Sequence, residues 1–232
     1  MKKVGMIGGM SYESSLHYYE RMNRSINHIC GGLTCGEILL YNVNFEPIRT
    51  LMLEEKWDSI GEILGNIAVL LEKAGADFIV IATNTMHKLA EQVQEKISIP
   101  VLHIADCVAL KCKEQNIKKV GLLGTRYTME EDFLVKRLAE NGIKAIVPSS
   151  REEIKEIDRI IFEELCKGKI KKSSKEYYKN VIEKLVENEQ IEGIILGCTE
   201  IEMLIKQEDV AVPLFDTTQS HIDGIVEKML EK

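Results

Sequence analysis

Short, mostly apolar runs alternate along the chain with stretches whose apolar positions recur every three or four residues. Runs at residues 4–7, 37–41 and 78–81 are separated by a helical pattern through Tyr18 and Met22 and another over residues 57–73. The theme returns with runs at 120–123, 144–147 and 194–196 and helical patterns at 154–165 and 177–186. Unbroken apolar runs of this length mark strands buried on both faces. Their alternation with amphipathic helices predicts an α/β fold with parallel sheets.

The two halves of the chain also repeat one another. Lys2-Lys3-Val4-Gly5-Met6-Ile7-Gly8 aligns with Lys118-Lys119-Val120-Gly121-Leu122-Leu123-Gly124, an offset of 116 residues (118 against 2). Residues 78–84 align with 193–199 at an offset of 115, and 99–102 with 212–215 at 113. Three matches in the same order predict duplication of one unit. The expected architecture is two pseudo-symmetric Rossmann-like domains, residues 1–98 with 209–232 and residues 99–208, and an active site in the cleft between them. Duplication would set Thr83 and Cys198 at equivalent strand ends facing one another, as inversion at a stereocentre requires: one face loses a proton and the other gains one.

A length of 232 residues holds one large α/β domain or two small ones. A formal charge of −7 and a pI near 5.4, without a long Lys/Arg run, argue against a nucleic-acid partner. No run approaches the ~18 apolar residues of a membrane span. The N-terminal apolar run stops at Gly8-Gly9, which reads as a first strand rather than a signal peptide. The cysteines Cys30, Cys35, Cys107, Cys112, Cys166 and Cys198 show neither a disulfide framework nor zinc-ligand spacing. The expectation is reduced thiols in the cytoplasm and no metal.

Residues 193–200, Gly-Ile-Ile-Leu-Gly-Cys-Thr-Glu, concentrate the chemistry. The strand ends at Gly197, and Ile201, Leu204 and Ile205 recur at helical spacing, so Cys198 and Thr199 fall in a strand-to-helix turn. A thiol at a helix N-terminus, in the crevice at the carboxyl ends of parallel strands, is placed to act as a thiolate; a small cysteine filling a turn is the competing reading. Ionising an ordinary thiol at pH 7 costs about 2 kcal/mol, and a helix terminus supplies ~0.3–2 kcal/mol. For a hydroxyl such as that of Thr83 the cost is on the order of 12 kcal/mol, so Thr83 is not a standing base. It can donate a proton if neighbours or water replace it.

Asn84, Thr85 and Thr199 are short polar groups at strand ends, suited to a substrate carboxylate or to helix capping. Gly8-Gly9-Met10 lacks the full glycine fingerprint of a dinucleotide site and fits close backbone approach to a small anion. His87, one turn beyond Thr83, reads either as a proton relay or as a satisfied helix histidine. Arg49 offers a bidentate carboxylate contact, with a solvated arginine as the alternative. Arg126, Tyr127 and Thr128 follow the repeated first strand.

These residues resemble the cofactor-independent aspartate/glutamate racemase family, its aspartate racemase branch above all. The resemblance is carried by Gly8-Gly9-Met10-Ser11-Tyr12-Glu13-Ser14, Thr83-Asn84-Thr85-Met86-His87-Lys88, Leu123-Gly124-Thr125-Arg126-Tyr127-Thr128 and Leu196-Gly197-Cys198-Thr199-Glu200, and it runs over essentially the whole chain. It implies an isomerase of aspartate, and of glutamate beside it, with no cofactor, an amino acid as small-molecule partner, and a homodimer. It assigns Cys198 as the base on the L face and Thr83 to the opposite face, where the family typically carries a second cysteine; a bacterial L-aspartate/glutamate-specific branch shows the same threonine. Implied substrate contacts are Met10, Arg49, Asn84, Thr85, Thr125, Tyr127, Thr128, Thr199 and Glu200. The position of a family lysine falls on Cys166, which leaves Lys167 as its substitute. Two other readings stay open: a single-cysteine dicarboxylate decarboxylase or cis-trans isomerase, and a dicarboxylate-binding protein whose chemistry has decayed at Thr83. Proton exchange at Cα of aspartate separates the racemase from both.

Overall fold

The computed structural model describes residues 1–231. In chain order β1 (Val4–Gly8) leads to α1 (Tyr12–Cys30), β2 (Ile38–Asn42), α2 (Phe45–Leu53), α3 (Trp57–Lys73), β3 (Phe78–Ile81), a 3-10 turn (Thr85–Leu89) and α4 (Ala90–Gln94). Then follow α5 (Ile104–Glu114), β4 (Lys119–Gly124), α6 (Arg126–Glu130), α7 (Phe133–Glu140), β5 (Lys144–Ile146), α8 (Arg151–Glu163), a second 3-10 turn (Leu165–Lys167) and α9 (Lys172–Glu189). The chain closes with β6 (Gly193–Gly197), α10 (Ile201–Leu204), β7 (Leu214–Asp216) and α11 (Thr217–Leu230). Contacts divide it into two compact units, Met1–His103 with His221–Lys232, and Ile104–Ser220. The crossovers fall at 103/104 and, inside α11, at 220/221, later than the 98/99 and 208/209 expected from the repeat.

Each unit is a twisted parallel sheet covered on both faces. The first has strand order β2-β1-β3, extended by a parallel bridge between Ile79 and Val101; the second has order β5-β4-β6-β7. β1 illustrates the period of two that buries both faces. Val4 and Met6 pack with Tyr18, Met22 and Ile26 of α1 and with Ile222, Ile225 and Met229 of α11, whereas Ile7 packs with Ile60, Leu64, Ile67 and Leu71 of α3. In the second unit Leu123 and Leu196 meet the α8/α9 layer at Ile157, Ile161, Tyr178 and Ile182. Val120, Leu122 and Ile195 meet α5 and α7 at Val108, Cys112, Leu134 and Leu138.

The internal repeat extends to hydrogen bonds and packing. Ile79 N–H donates to Pro100 O at 2.9 Å, and its counterpart Ile194 donates to Pro213 O at 2.8 Å. Asp77 accepts from Lys3 N–H at 2.6 Å, and Glu192 accepts from Lys118 and Lys119 N–H at 2.7 and 2.9 Å, so each sheet's first strand starts on a carboxylate from the residue that precedes its third. A Cβ on Gly5 would lie 2.7 Å from Ile79 Cδ1, and one on Gly121 would lie 2.6 Å from Ile194 Cδ1. Both glycines are there because the neighbouring strand's isoleucine occupies the space of a side chain.

One feature of the second unit supports the turn that carries Cys166. Glu164, 2% exposed, accepts from Ser174 Oγ at 2.6 Å, Arg159 Nη1 at 2.9 Å and Lys171 Nζ at 3.2 Å. Its carbonyl takes the backbone N–H groups of Lys167 and Lys169, so one residue closes the connection from α8 to α9. Ser174's hydroxyl, with Arg159 and Lys171, holds the Glu164 carboxyl down to about 2. A carboxylate lower in the folded chain than its usual 4.5 contributes stability that is fully present above about pH 4.5 and lost as pH falls toward 2. Glu164→Gln is expected to cost ~1–3 kcal/mol at pH 7 by urea unfolding. Its stability should also lose less than that of wild type between pH 5 and 3; an unchanged pH dependence would show that Glu164 is not the group responsible.

Candidate active site

In an order such as β2-β1-β3 the chain departs from its first strand in opposite directions, which opens a crevice at the carboxyl ends of the first and third strands. The sequence motifs gather there in both units. In the first unit β1 gives way to Gly9, whose φ of +90° turns the backbone against Val43 so closely that a Cβ would overlap the Val43 carbonyl oxygen. Gly9 N–H donates to Ser15 Oγ at 2.7 Å, Ser15 Oγ donates to Ser11 O at 3.1 Å, and Ser11 caps α1. Ser14 Oγ donates to Ala82 O at 3.1 Å and ties this loop to the end of β3. Met10 is buried among Ile7, Val43 and Met86 and forms an apolar wall.

Thr83 follows β3, half-buried, with its N–H on Ile81 O at 2.8 Å. Asn84 is 6% exposed and Thr85, half-buried, opens the 3-10 turn. His87 is buried, and its Nδ1 bonds the Thr83 carbonyl at 2.8 Å. Of the two readings of His87, the satisfied histidine is the one this bond to the Thr83 backbone supports. Arg49 lies on α2, exposed, 3.9 Å from Glu46; such a surface contact is weak and leaves the guanidinium able to turn to an anion.

In the second unit Thr125 caps α6, accepting from Thr128 N–H at 3.4 Å. Thr128 is fully buried, its hydroxyl 3.2 Å from that of Thr125, and its methyl fills the gap between the ends of β4 and β6. A Cβ on Gly124 or Gly197 would lie 2.9 or 3.1 Å from that methyl. Tyr127 is half-buried, with the Arg126 guanidinium 5.6 Å from its ring centre. Arg126 N–H donates to Asp158 Oδ1 at 2.7 Å, while burial raises the Asp158 carboxyl above its usual range.

Cys198 Sγ donates to Glu200 Oε2 at 2.9 Å, and Thr199 Oγ1 donates to the same oxygen at 2.6 Å. Burial, and next the Glu200 charge with the hydrogen bond it accepts, push the Cys198 thiol well up. These surroundings favour the thiol, where the helix terminus read from the sequence favours an appreciable fraction of thiolate. The helix that was to supply positive potential is α10, only Ile201–Leu204; Ile205 is already extended, and four residues make a poor dipole. Thr199 is also not the side-chain cap that its position suggested, since its hydroxyl is committed to Glu200.

Glu200 gathers a second thiol. Cys166 is exposed as a residue, but loss of hydration at its sulfur, followed by the charge and hydrogen bond of Glu200, pushes the thiol up to about 12. Lys167 beside it is exposed, with its N–H on Glu164 O. Cys166 thus stands at the Cys198 end of the unit. The Cys-x-Glu spacing after a strand was the signal that could have exposed the thiol–carboxylate pair; Asp158, far back in the chain, gave none. Among the described residues no group of three or more His, Cys, Asp or Glu is arranged to hold a metal, and no helix is long and apolar enough to cross a membrane.

Residues 7–225 match the family model described as Asp/Glu/hydantoin racemase. The structure superimposes on a crystal structure of a candidate Asp/Glu racemase from Yersinia pestis with a TM-score of 0.95, at 44% identity over 100% of both chains. An aspartate racemase homologue from Pyrococcus horikoshii OT3 gives 0.86, at 41% identity, again over 100% of both. The broad specificity amino-acid racemase RacX of Bacillus subtilis (strain 168) is 26% identical over 151 residues, 65% of this chain; the match spans 64% of RacX's own length.

The thiol geometry has a direct chemical test. Alkylation by iodoacetamide at pH 7.5 should modify exposed Cys30 and Cys35 well before Cys198, because the thiolate is the reacting form. Glu200→Gln removes the negative charge, so the Cys198 thiol should fall and its alkylation at fixed pH should accelerate, read by peptide mass spectrometry. Slower or unchanged labelling of Cys198 in Glu200→Gln would contradict the role given to that carboxylate.

Proposed function

From the premise that this chain belongs to the Asp/Glu/hydantoin racemase family, we propose that it interconverts L- and D-aspartate, with glutamate as a second substrate, without a pyridoxal cofactor. The observation that carries the reading is the Cys198 thiol held on Glu200 at the end of β6, at the position that the internal repeat makes equivalent to Thr83 after β3. The aspartate racemase homologue from P. horikoshii supports aspartate as the first substrate to test.

Cys198 serves the face of the L enantiomer. Its thiol proton passes to the Glu200 carboxylate, and the thiolate takes the Cα hydrogen. A raised thiol makes this ionisation unfavourable at rest, by ~1.4 kcal/mol for each unit. The α-ammonium group of a bound amino acid supplies the positive charge that offsets it, so the base forms with substrate in place. Thr83 delivers a proton to the opposite face; its hydroxyl is restored by a proton from water, and the proton held on Glu200 neutralises the hydroxide left. Asn84 and Thr85 receive the α-carboxylate; Thr199, occupied by Glu200, drops behind them. Arg49 receives the side-chain carboxylate in a bidentate contact. Met10, Tyr127 and the Thr125–Thr128 pair shape the strand-end walls.

We assign the chain to a reducing compartment, the cytoplasm, on the strength of its free thiols. We also assign it a homodimeric state. Tyr12, Leu16 and Tyr19 stand exposed along α1, and Leu40 and Tyr41 along the edge strand β2, an apolar surface suited to a second copy. A monomer by light scattering at micromolar concentration would count against it.

Proton NMR in D₂O, with purified protein and no added cofactor, tests the reaction. Wild type should wash out the Cα hydrogen of aspartate and generate the other enantiomer, whereas a decarboxylase or a simple binder leaves that hydrogen in place. Cys198→Ala should lose both activities by about 10³-fold while keeping its fold, since the group that takes the Cα hydrogen is gone. Arg49→Lys should raise KM for aspartate far more than for alanine. Equal losses for the two amino acids would remove Arg49 from the side-chain carboxylate.

A further inference from the structure

The 3-10 turn after β3 creates a local deficit. In an α-helix the N–H of residue 87 would bond the carbonyl of residue 83, but here His87 N–H bonds Asn84 O at 3.0 Å, one residue closer. The imidazole of His87 takes up the Thr83 carbonyl at 2.8 Å. A carbonyl only accepts, so Nδ1 carries the hydrogen. The preceding carbonyl, Ala82 O, takes Ser14 Oγ at 3.1 Å. Both carbonyls flanking the Thr83 α-carbon are thus held by side chains.

The His87 ring is itself held. His103 lies edge-on with ring centres 4.6 Å apart, and His221 at 5.5 Å. His221 Nε2 donates to Leu102 O at 3.0 Å, which leaves its Nδ1 to accept from Tyr18 O–H at 2.9 Å. That tautomer is neutral, and burial keeps His221 neutral by holding it down to about 3. His87, His221 and Tyr18 are all at most 2% exposed.

We propose that His87 is a positioning residue for Thr83: by donating Nδ1–H to the Thr83 carbonyl it fixes the backbone from which the Thr83 hydroxyl, Asn84 and Thr85 are presented. This rests on the reading of Thr83 as the proton donor opposite Cys198. His87 moves no proton of the reaction; it sets the aim of the residue that does. Cys198 lies in the other unit and does not depend on it.

The test separates the two faces. In D₂O, deuterium uptake into L-aspartate without inversion reports Cys198 alone, and inversion in either direction reports Thr83 as well. His87→Leu should slow inversion about ten- to a hundredfold, the scale of a misplaced reacting group. Uptake into L-aspartate should stay within about threefold of wild type on the same principle. His87→Asn, whose amide nitrogen can stand in for Nδ1, should recover inversion to within a few-fold. If His87→Leu does not fold, Ser14→Ala carries the same comparison from the Ala82 side. Equal losses of uptake and inversion would reduce His87 to a packing role and overturn the inference, as would unchanged inversion. Failure of the racemase reading looks different: wild type itself would exchange neither enantiomer.

Discussion

A parallel strand that ends inside a protein must hand its last carbonyls to some donor, because the strand beside it ends at the same level and the following backbone turns away. Much of the structure around the two strand-end crevices answers that demand. Gly8 O takes Val43 N–H, Ala82 O takes Ser14, Thr83 O takes His87, Leu196 O takes Thr217 Oγ1 and Cys198 O takes Ile201 N–H. The donors come from different places in the chain, and the difference sets the character of each half. Around Thr83 in the first unit they are the side chains of Ser14 and His87, which fix that backbone closely. In the second they leave the Cys198 side chain to a carboxylate two residues away.

The halves share a fold, and in the proposed reaction they differ in chemistry for this reason. A hydroxyl is useful only if it is aimed well, since it gains nothing from its surroundings that would ionise it. A thiol gains or loses a proton according to what surrounds it, and around Cys198 a single carboxylate oxygen accepts both the thiol and the Thr199 hydroxyl. Aim is built into one unit and charge balance into the other. The Glu164 cluster extends the second theme backward along the chain, since it fixes the turn that brings Cys166 toward Glu200.

Much of this was legible in the sequence. The helix read over residues 57–73 is Trp57–Lys73, and the strand read at 78–81 is Phe78–Ile81, because period and burial agree there. β2 starts one residue later than the run read from the sequence, with Glu37 giving its carbonyl to Val4 N–H. The helix inferred after Cys198 fails at Ile205, which is buried from extended backbone; burial alone mimicked helical spacing. The state of the thiol was beyond reach. It depends on which way Glu200 turns and on how much water reaches the sulfur, and neither is written in the order of residues. His87 was visible as a residue one turn from Thr83, but a 3-10 turn in place of an α-turn decides whether its side chain meets a hydroxyl or a carbonyl.

The paired glycines at 5 and 121 bear on how such a molecule diverges from its own duplicate. An added methyl at either site would have to displace an isoleucine of the neighbouring strand, so both copies are held to the same answer by their interiors. The residue after the third strand differs between the copies, where a threonine and a cysteine of similar size stand at matching places. The halves are therefore alike at two positions that only pack, and unlike at the two on which the reaction would turn.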